Sequence, residues 1–279
     1  MKTVSKSKGS LERSEDSFVH LRVHSEYSIS DGLIKLSQLA DSAGGKGMPA
    51  VGLTDSGNLF GLMKFHAACM RAGVKPLVGS DLQVSVDGAP FLLTVLAMND
   101  IGYKNLLSIV SNGYVGSSIR GVVPIRDLSD YGEGLLVLSG GISGDVGSAL
   151  VRDDYQKAKK TAMVWAEKFP RRYYLEICRT GRSEEENYIS AILKLSEELE
   201  LPVVATNDVR FIDPEDFEAH EARVCIYQGR SLDDPRRKRQ YSADQYLKTP
   251  EEMAALFSDI PEALENSVAI AQRCSVSLE

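Results

Sequence analysis

The 279-residue chain has no C-x-x-C pair, no apolar run of membrane-spanning length, no excess of positive charge and only four histidines. Each shortage excludes something. Cys69, Cys178, Cys225 and Cys274 lie far apart in the sequence, which removes a zinc knuckle or dithiol redox motif and predicts reduced, mostly buried thiols of a cytoplasmic protein. The longest apolar stretch, Phe91 to Met98, is interrupted by Thr94 and falls far short of the ~18 residues that a membrane span needs. The amino-terminal M-K-T-V-S-K-S-K-G-S-L-E-R-S-E-D lacks an apolar signal core, so residues 1–17 read as a flexible polar tail. With 32 Lys and Arg against 39 Asp and Glu, the net charge is −7, the wrong sign for a chain that would clamp duplex DNA by itself.

What remains is the composition of a globular protein: 43% hydrophobic, 25% charged and 7% aromatic, outside the disordered, collagen-like and coiled-coil classes. A chain of this length buries roughly 75% of its unfolded surface, so its core needs no disulfide or structural metal, and any metal would serve chemistry. Short β-branched or apolar runs are expected as strands at Val19–Val23, Ala50–Thr54, Leu77–Val86, Phe91–Ala97, Leu135–Ser139, Tyr173–Ile177 and Val203–Thr206. Helical periodicity lies between them. One helix carries Leu33, Leu36, Leu39, Ala40 and Ala43 and stops at Gly44, Gly45 and Gly47. Another carries Leu59, Leu62, Met63, His66, Cys69 and Met70 and stops at Gly73. Ser183 with Glu186 predicts a capping box for a helix ending before Pro202, while Asp213-Pro214 and Thr249-Pro250 predict two later helix starts. Strands alternating with helices predict an α/β fold, a barrel of βα units around a parallel sheet. In such barrels, chemistry gathers on loops after the strands' carboxyl ends.

Those ends carry recognisable motifs. F-V-H-L-R-V-H-S-E-Y-S-I-S-D-G (18–32), G-L-T-D-S-G-N-L-F-G (52–61), G-V-K-P-L-V-G-S-D (73–81) and A-T-N-D-V-R-F (205–211) resemble the amino-terminal PHP (polymerase and histidinol phosphatase) domains of bacterial DNA polymerase III alpha subunits. S-L-D-D-P (231–235) and D-I-P-E-A-L (259–264) fit the same family, and the resemblance runs from residue 18 to residue 279. It implies one PHP domain over 18–279, a distorted seven-stranded, TIM-barrel-like (βα) barrel that ends before the polymerase catalytic domain. It further implies membership of a DNA-directed DNA polymerase, a nucleotidyltransferase of DNA replication whose magnesium-binding carboxylates lie further along. The expected partners are the remaining polymerase domains and the proofreading 3′–5′ exonuclease subunit, with DNA reached only through the holoenzyme and no membrane.

Metal-competent members of the family read H-x-H, T-D-H, Glu, His and N-D-x-H at successive strand ends, a set of N and O donors that could hold divalent ions and activate water. This sequence departs at almost every one. Arg22 stands in place of the first histidine and His24 remains; Asp55 remains and Ser56 replaces histidine; Asp81 replaces glutamate; Thr180 replaces histidine; Asp208 remains and Arg210 replaces histidine. Gly141 also differs from a cysteine common in competent relatives. Asp31, Asp55, Asp81 and Asp208 would crowd negative charge into one mouth, and the two arginines could neutralise it through bidentate pairs without supplying a metal's Lewis acidity. The nine positions Arg22, His24, Asp31, Asp55, Ser56, Asp81, Thr180, Asp208 and Arg210 therefore read as a vestigial metal site with no catalytic residue. No metal or other cofactor is expected on this chain. An alternative is a residually active metal-dependent phosphoesterase or 3′–5′ exonuclease using His24, Asp55 and Asp208.

Other signals read as structure. His20 is expected in the core or at the rim, His66 in helix packing, and His220 on a helix that lacks the second histidine of H-E-x-x-H. Pro235-Arg236-Arg237-Lys238-Arg239 reads as a solvated loop, Gly140-Gly141-Ile142-Ser143-Gly144 as a tight turn, and Trp165 as core or interface.

Overall fold

A computed structural model describes residues 18–86, 89–115, 119–237 and 239–278. Seven strands, β1 (Ala50–Leu53), β2 (Lys75–Val86), β3 (Ala89–Ala97), β4 (Val122–Pro124), β5 (Leu135–Leu138), β6 (Tyr173–Cys178) and β7 (Val203–Thr206), form one curled sheet in the order β1-β2-β3-β5-β6-β7, with β4 beside β2. Ten helices surround it among the described residues: α1 (Leu36–Gly45), α2 (Leu62–Ala72), α3 (Asp100–Val115), α4 (Ile125–Asp130), α5 (Asp145–Val151), α6 (Tyr155–Lys168), α7 (Glu185–Leu199), α8 (Phe217–Gln228), α9 (Pro250–Leu256) and α10 (Pro261–Arg273). This is the expected distorted barrel of the α/β class.

Its sheet is mixed rather than parallel. β3 runs antiparallel to both β2 and β5, while β1–β2, β2–β4, β5–β6 and β6–β7 are parallel. The expected strand at Val19–Val23 is also revised. This segment is buried and makes backbone bonds on both sides, yet bridges only at Val23 to Val209. Gly52 N donates to His20 O at 2.7 Å and Thr54 N to Val23 O at 2.9 Å; opposite, Val209 N donates to Arg22 O at 3.2 Å. The segment therefore ties β1 to the residues just after β7, joining the two ends of the sheet without a continuous ladder. β4, unmarked by any expectation, is the seventh strand.

Two helix readings shift. Ser183 makes no cap for α7; Glu186 pairs instead with Arg179 at 2.9 Å, because a guanidinium offers it a stronger donor than a backbone amide. On α2 the buried stripe is Leu62, Phe65, Ala68 and Cys69, whereas Met63 and Met70 face outward and His66 is half-buried. Thr249-Pro250 opens α9 as expected, with Glu252 completing a capping box, and Asp213 with Asp216 forms one ahead of α8. Trp165 is buried, as expected, and donates to Asp145 at 2.8 Å. The basic run is only partly solvated: Arg237 pairs with Glu221 at 2.6 Å, and Lys238 lies outside the described residues.

Inward side chains from successive strands, among them Leu77, Leu96, Leu136, Tyr174 and Val204, pack with Val19, Leu21 and the α10 residues Ile270 and Ala271. Lys75 and Val203, the first residues of β2 and β7, hydrogen-bond Ala271 and Asn266 of α10. Helix α10 thus closes the amino end of the parallel strands, and polar residues collect at the opposite, carboxyl end. No helix among the described residues is long and apolar enough to cross a membrane.

Candidate functional site

Alternation along an extended backbone places residues i and i+2 on one face. Arg22 and His24 point into the mouth from the segment that joins β1 to β7, and Asp208 and Arg210 point in from the chain following β7. Asp81 enters from β2 and Glu176 from β6. Arg22 spans three carboxylates: Nε lies 2.8 Å from Asp81 Oδ2, Nη1 3.3 Å from Glu176 Oε1 and Nη2 3.2 Å from Asp208 Oδ1. Arg210 places Nε and Nη2 at 3.1 and 2.6 Å from Asp208 Oδ1, and Nη1 at 2.5 Å from both Asp31 Oδ2 and His24 Nδ1. His24 Nε2 lies 2.8 Å from Asp81 Oδ2, and Thr94 donates to Asp81 Oδ1 at 2.6 Å. Arg22 thus bridges three carboxylates, while Arg210 sets two donors on one oxygen of Asp208 and a third on Asp31.

Six of the nine predicted positions, Arg22, His24, Asp31, Asp81, Asp208 and Arg210, thus meet in one cluster. Three do not join it through any of these contacts. Asp55 accepts from Ser25 N and Oγ and from Ser28 Oγ, each at 2.7 Å, and so anchors the loop after residue 24. Ser56 is exposed and donates its amide to Ser28 Oγ at 3.1 Å. Thr180 donates through its amide and hydroxyl to Glu185, both at 2.6 Å, at the start of α7. Sequence reading missed Glu176, Thr94, Tyr241 and Gln245. Tyr241 donates to Asp31 Oδ2 at 2.8 Å, and Gln245 Nε2 donates to Asp208 Oδ2 at 2.9 Å. Glu176 had a signal, a lone charge inside the apolar strand Y-Y-L-E-I-C, where an acid is rarely buried without a partner. Thr94 had a weaker one, as the polar break in the apolar run Phe91 to Met98, and Tyr241 and Gln245 carried none.

Desolvation works against every charge here, and the ion pairs oppose it. Burial pushes the Asp208 carboxyl up, but Arg210 and Arg22 hold it well below the usual carboxylate range. Asp31 follows the same pattern, with Arg210 outweighing burial. Asp81 is also lowered, by Arg22 and His24 against burial. Glu176 goes the other way. Burial dominates there, Asp81 and Asp208 add repulsion, and Arg22 with Thr206 only partly offsets the rise, while its Oε2 has no hydrogen-bond partner. Burial and Arg210 push the His24 pKa down, whereas Asp81 and Asp31 push it up, with a net rise above 6.5. Because a guanidinium only donates, the Arg210 contact is made to the neutral ring, through a lone pair on Nδ1 with the proton on Nε2 toward Asp81, and protonation of the ring gives that contact up while strengthening the pairs with Asp81 and Asp31.

His24, Asp81 and Asp208 each offer a ligand atom within 4.8 Å of the others, close enough in spacing for one metal ion. The donors do not fit that use as they stand. Asp81 Oδ2 already meets Arg22 and His24, Asp208 Oδ1 meets both arginines, and His24 Nδ1 meets Arg210. A divalent cation would have to displace two permanent cations from buried carboxylates. A family profile described as the PHP domain matches residues 20–180, more than half of the chain.

The chain belongs to the PHP domain family.

This PHP chain is 51% identical over 270 residues to DNA polymerase III subunit alpha of Escherichia coli strain K12, a match covering 95% of the chain and 23% of that relative. It is 48% identical over 268 residues to the protein of the same name from Pseudomonas aeruginosa, covering 94% of the chain and again 23% of the relative. It therefore spans less than a quarter of the length of the curated relatives it matches. Among solved structures, an amidohydrolase from Chromobacterium violaceum with bound sulfate and no metal is similar at a TM-score of 0.53 and 14% identity, covering 74% of this PHP chain and 97% of that one, a likeness of fold.

Proposed function

We propose that residues 18–279 form a single non-catalytic PHP module of a replicative DNA polymerase III alpha subunit, working in the cytoplasm within the polymerase assembly. In this reading the nine positions from Arg22 to Arg210 are remnants of a metal site, and the module's roles are to stabilise the polymerase and to dock the separate proofreading 3′–5′ exonuclease subunit. Polymerisation, its magnesium ions and the DNA contacts belong to the rest of the longer chain and the holoenzyme. The observation that carries the reading is the pair of guanidiniums, Arg22 and Arg210, seated among Asp31, Asp81, Glu176 and Asp208. Arginine balances the charge of buried carboxylates but does not lower the pKa of a bound water as a metal does.

Plasma emission of protein purified in manganese or zinc tests the first part: substoichiometric metal is expected, and tightly held, near-stoichiometric metal overturns it. Titration with the purified exonuclease subunit, followed by size exclusion, tests the second. A co-eluting complex is expected, and its absence removes the partner without touching the fold. A second reading, residual metal-dependent phosphoesterase activity, is favoured by the spacing of His24, Asp81 and Asp208. Its donor set differs from the sequence expectation, since Asp55 is committed to Ser25 and Ser28 and Asp81 takes its place.

A further inference from the structure

A barrel mouth that receives a ligand has to leave its polar residues within reach of solvent. Here Arg22, His24, Asp81, Asp208 and Arg210 are each no more than 6% exposed. Two of them, Asp208 and Arg210, are covered by one stretch, Tyr241 to Lys248, which runs between the basic loop and the capping box of α9. Tyr241 holds Asp31 through its hydroxyl and lies against the Arg210 guanidinium, 5.5 Å from carbon to ring centre. Ser242 Oγ donates to Thr180 O. Gln245, fully buried although it belongs to no helix or strand, donates to Asp208 O and Oδ2 at 3.0 and 2.9 Å and accepts from Ser242 N and Arg182 Nη2. Its carbonyl accepts from Arg210 N at 2.9 Å, and Asn207 donates to the carbonyls of Asp244 and Tyr246. The stretch thus contacts four of the vestigial positions, Asp31, Thr180, Asp208 and Arg210.

We propose that Tyr241–Lys248 is an access-determining strap that keeps oxyanion-bearing ligands such as phosphates out of the mouth, so that the site is closed by a covering segment as well as by the occupation of its donors. Every hydrogen-bonding atom of the Gln245 side chain is used, which is what a buried amide needs to hold a coil segment in one place. Loosening the strap uncovers Arg210, whose guanidinium matches the geometry of an oxyanion. The proposal is separate from the non-catalytic reading: bound metal would sink that reading and leave the strap standing.

Arginine labelling by phenylglyoxal, read by peptide mass spectrometry on the intact protein, tests it. In the wild type, Arg236, with its side chain 83% exposed, is expected to react at least about 100-fold faster than Arg22 and Arg210, because reaction of a covered group follows the population of its open form. Tyr241→Phe, which removes one hydroxyl, and Gln245→Ala are each expected to speed Arg210 labelling by about tenfold, with Arg172 unchanged and inorganic phosphate slowing the new reaction. Wild-type Arg210 reacting as fast as Arg236 overturns the strap. So does an unchanged rate in Tyr241→Phe, an equal rise at Arg172, or labelling of the variants that is indifferent to phosphate.

Discussion

Arg22 is where the energetics of single residues are sharpest, because three carboxylates depend on one guanidinium that is almost completely buried. Removing one partner from such a set leaves uncompensated charge, a larger effect than the net worth of the pairs. Arg22→Met is therefore expected to lower stability by about 3–5 kcal/mol in urea unfolding at pH 7. A loss below about 1 kcal/mol, the size of an exposed pair, would show that the cluster is solvated. His20 gives the pH dependence. Burial drives its pKa down to about 4, and Nε2 bonds Lys248 O at 2.9 Å. A histidine depressed in the folded state binds its proton more readily when unfolded, so its contribution is intact above pH 6.5, falls between 6.5 and 4, and is flat below. The total is about 3 kcal/mol at ~1.4 kcal/mol per unit. His20→Gln keeps a donor for Lys248, and its stability difference from wild type should shrink in that direction and by that order across the window. A constant offset from pH 7 to pH 4 would count against a neutral His20. At this scale the sequence was readable where ligands sit on local motifs: R-V-H, G-S-D and N-D-V-R name Arg22, His24, Asp81, Asp208 and Arg210 directly. Tyr241 and Gln245 were not readable, since what they touch lies on distant segments, 210 residues away for Asp31 and 37 for Asp208.

Among the elements, closure of the barrel depends on how closely the Val19–His24 segment approaches β1. Gly52 allows it: a Cβ there would fall 2.4 Å from Leu21 O and 2.8 Å from Leu21 C, both backbone atoms that cannot swing aside. Gly52→Ala should therefore cost about 1–3 kcal/mol and raise hydrogen exchange at the amides of Gly52 and Thr54, which donate to that segment. Gly45→Ala at the end of α1, where nothing lies within 4 Å of the added carbon, is expected to be neutral or to stabilise by up to about 1 kcal/mol. Equal effects at the two glycines would remove the close-approach explanation. The same interface shows why element reading was only partly right. Val19–Val23 has the apolar, β-branched pattern of a strand and is buried like one, but its bonds are divided between β1 and Val209, which no single-segment pattern encodes. β4 is three residues long, too short for periodicity to register. The antiparallel β2–β3 pair did have a marker, Asp87-Gly88 between two β-rich runs, a strong hairpin signal that the expectation of parallel βα units obscured. Thr249-Pro250 was legible as a helix start because the cap and the proline that follows it are adjacent in sequence.

For the molecule taken together, the question is whether folding stability is linked to metal. The buried cluster draws on the closing segment, β2, β6 and the chain after β7, so it fastens together elements that are far apart in sequence. A divalent ion doing that work would make stability depend on its concentration, whereas guanidiniums supply it from within the chain. A metal site held at 100 times its Kd adds about 2.7 kcal/mol to the folded state by mass action. In a chain of this size that corresponds to a rise in Tm of roughly 5 °C. The expectation here is no rise with added manganese or zinc and no fall with EDTA, because the donors of His24, Asp81 and Asp208 are already bonded to the arginines and to one another. Lowering the pH should do what chelation does not. Asp208 and Asp31 have folded-state pKa values held below the ordinary range, so their contribution is full above the unfolded-state pKa of about 3.9 and is lost as pH falls toward the folded values. Thermal melts that respond to EDTA at pH 7, or that ignore acid between pH 4 and pH 2, would mean that something other than Arg22 and Arg210 holds the mouth together.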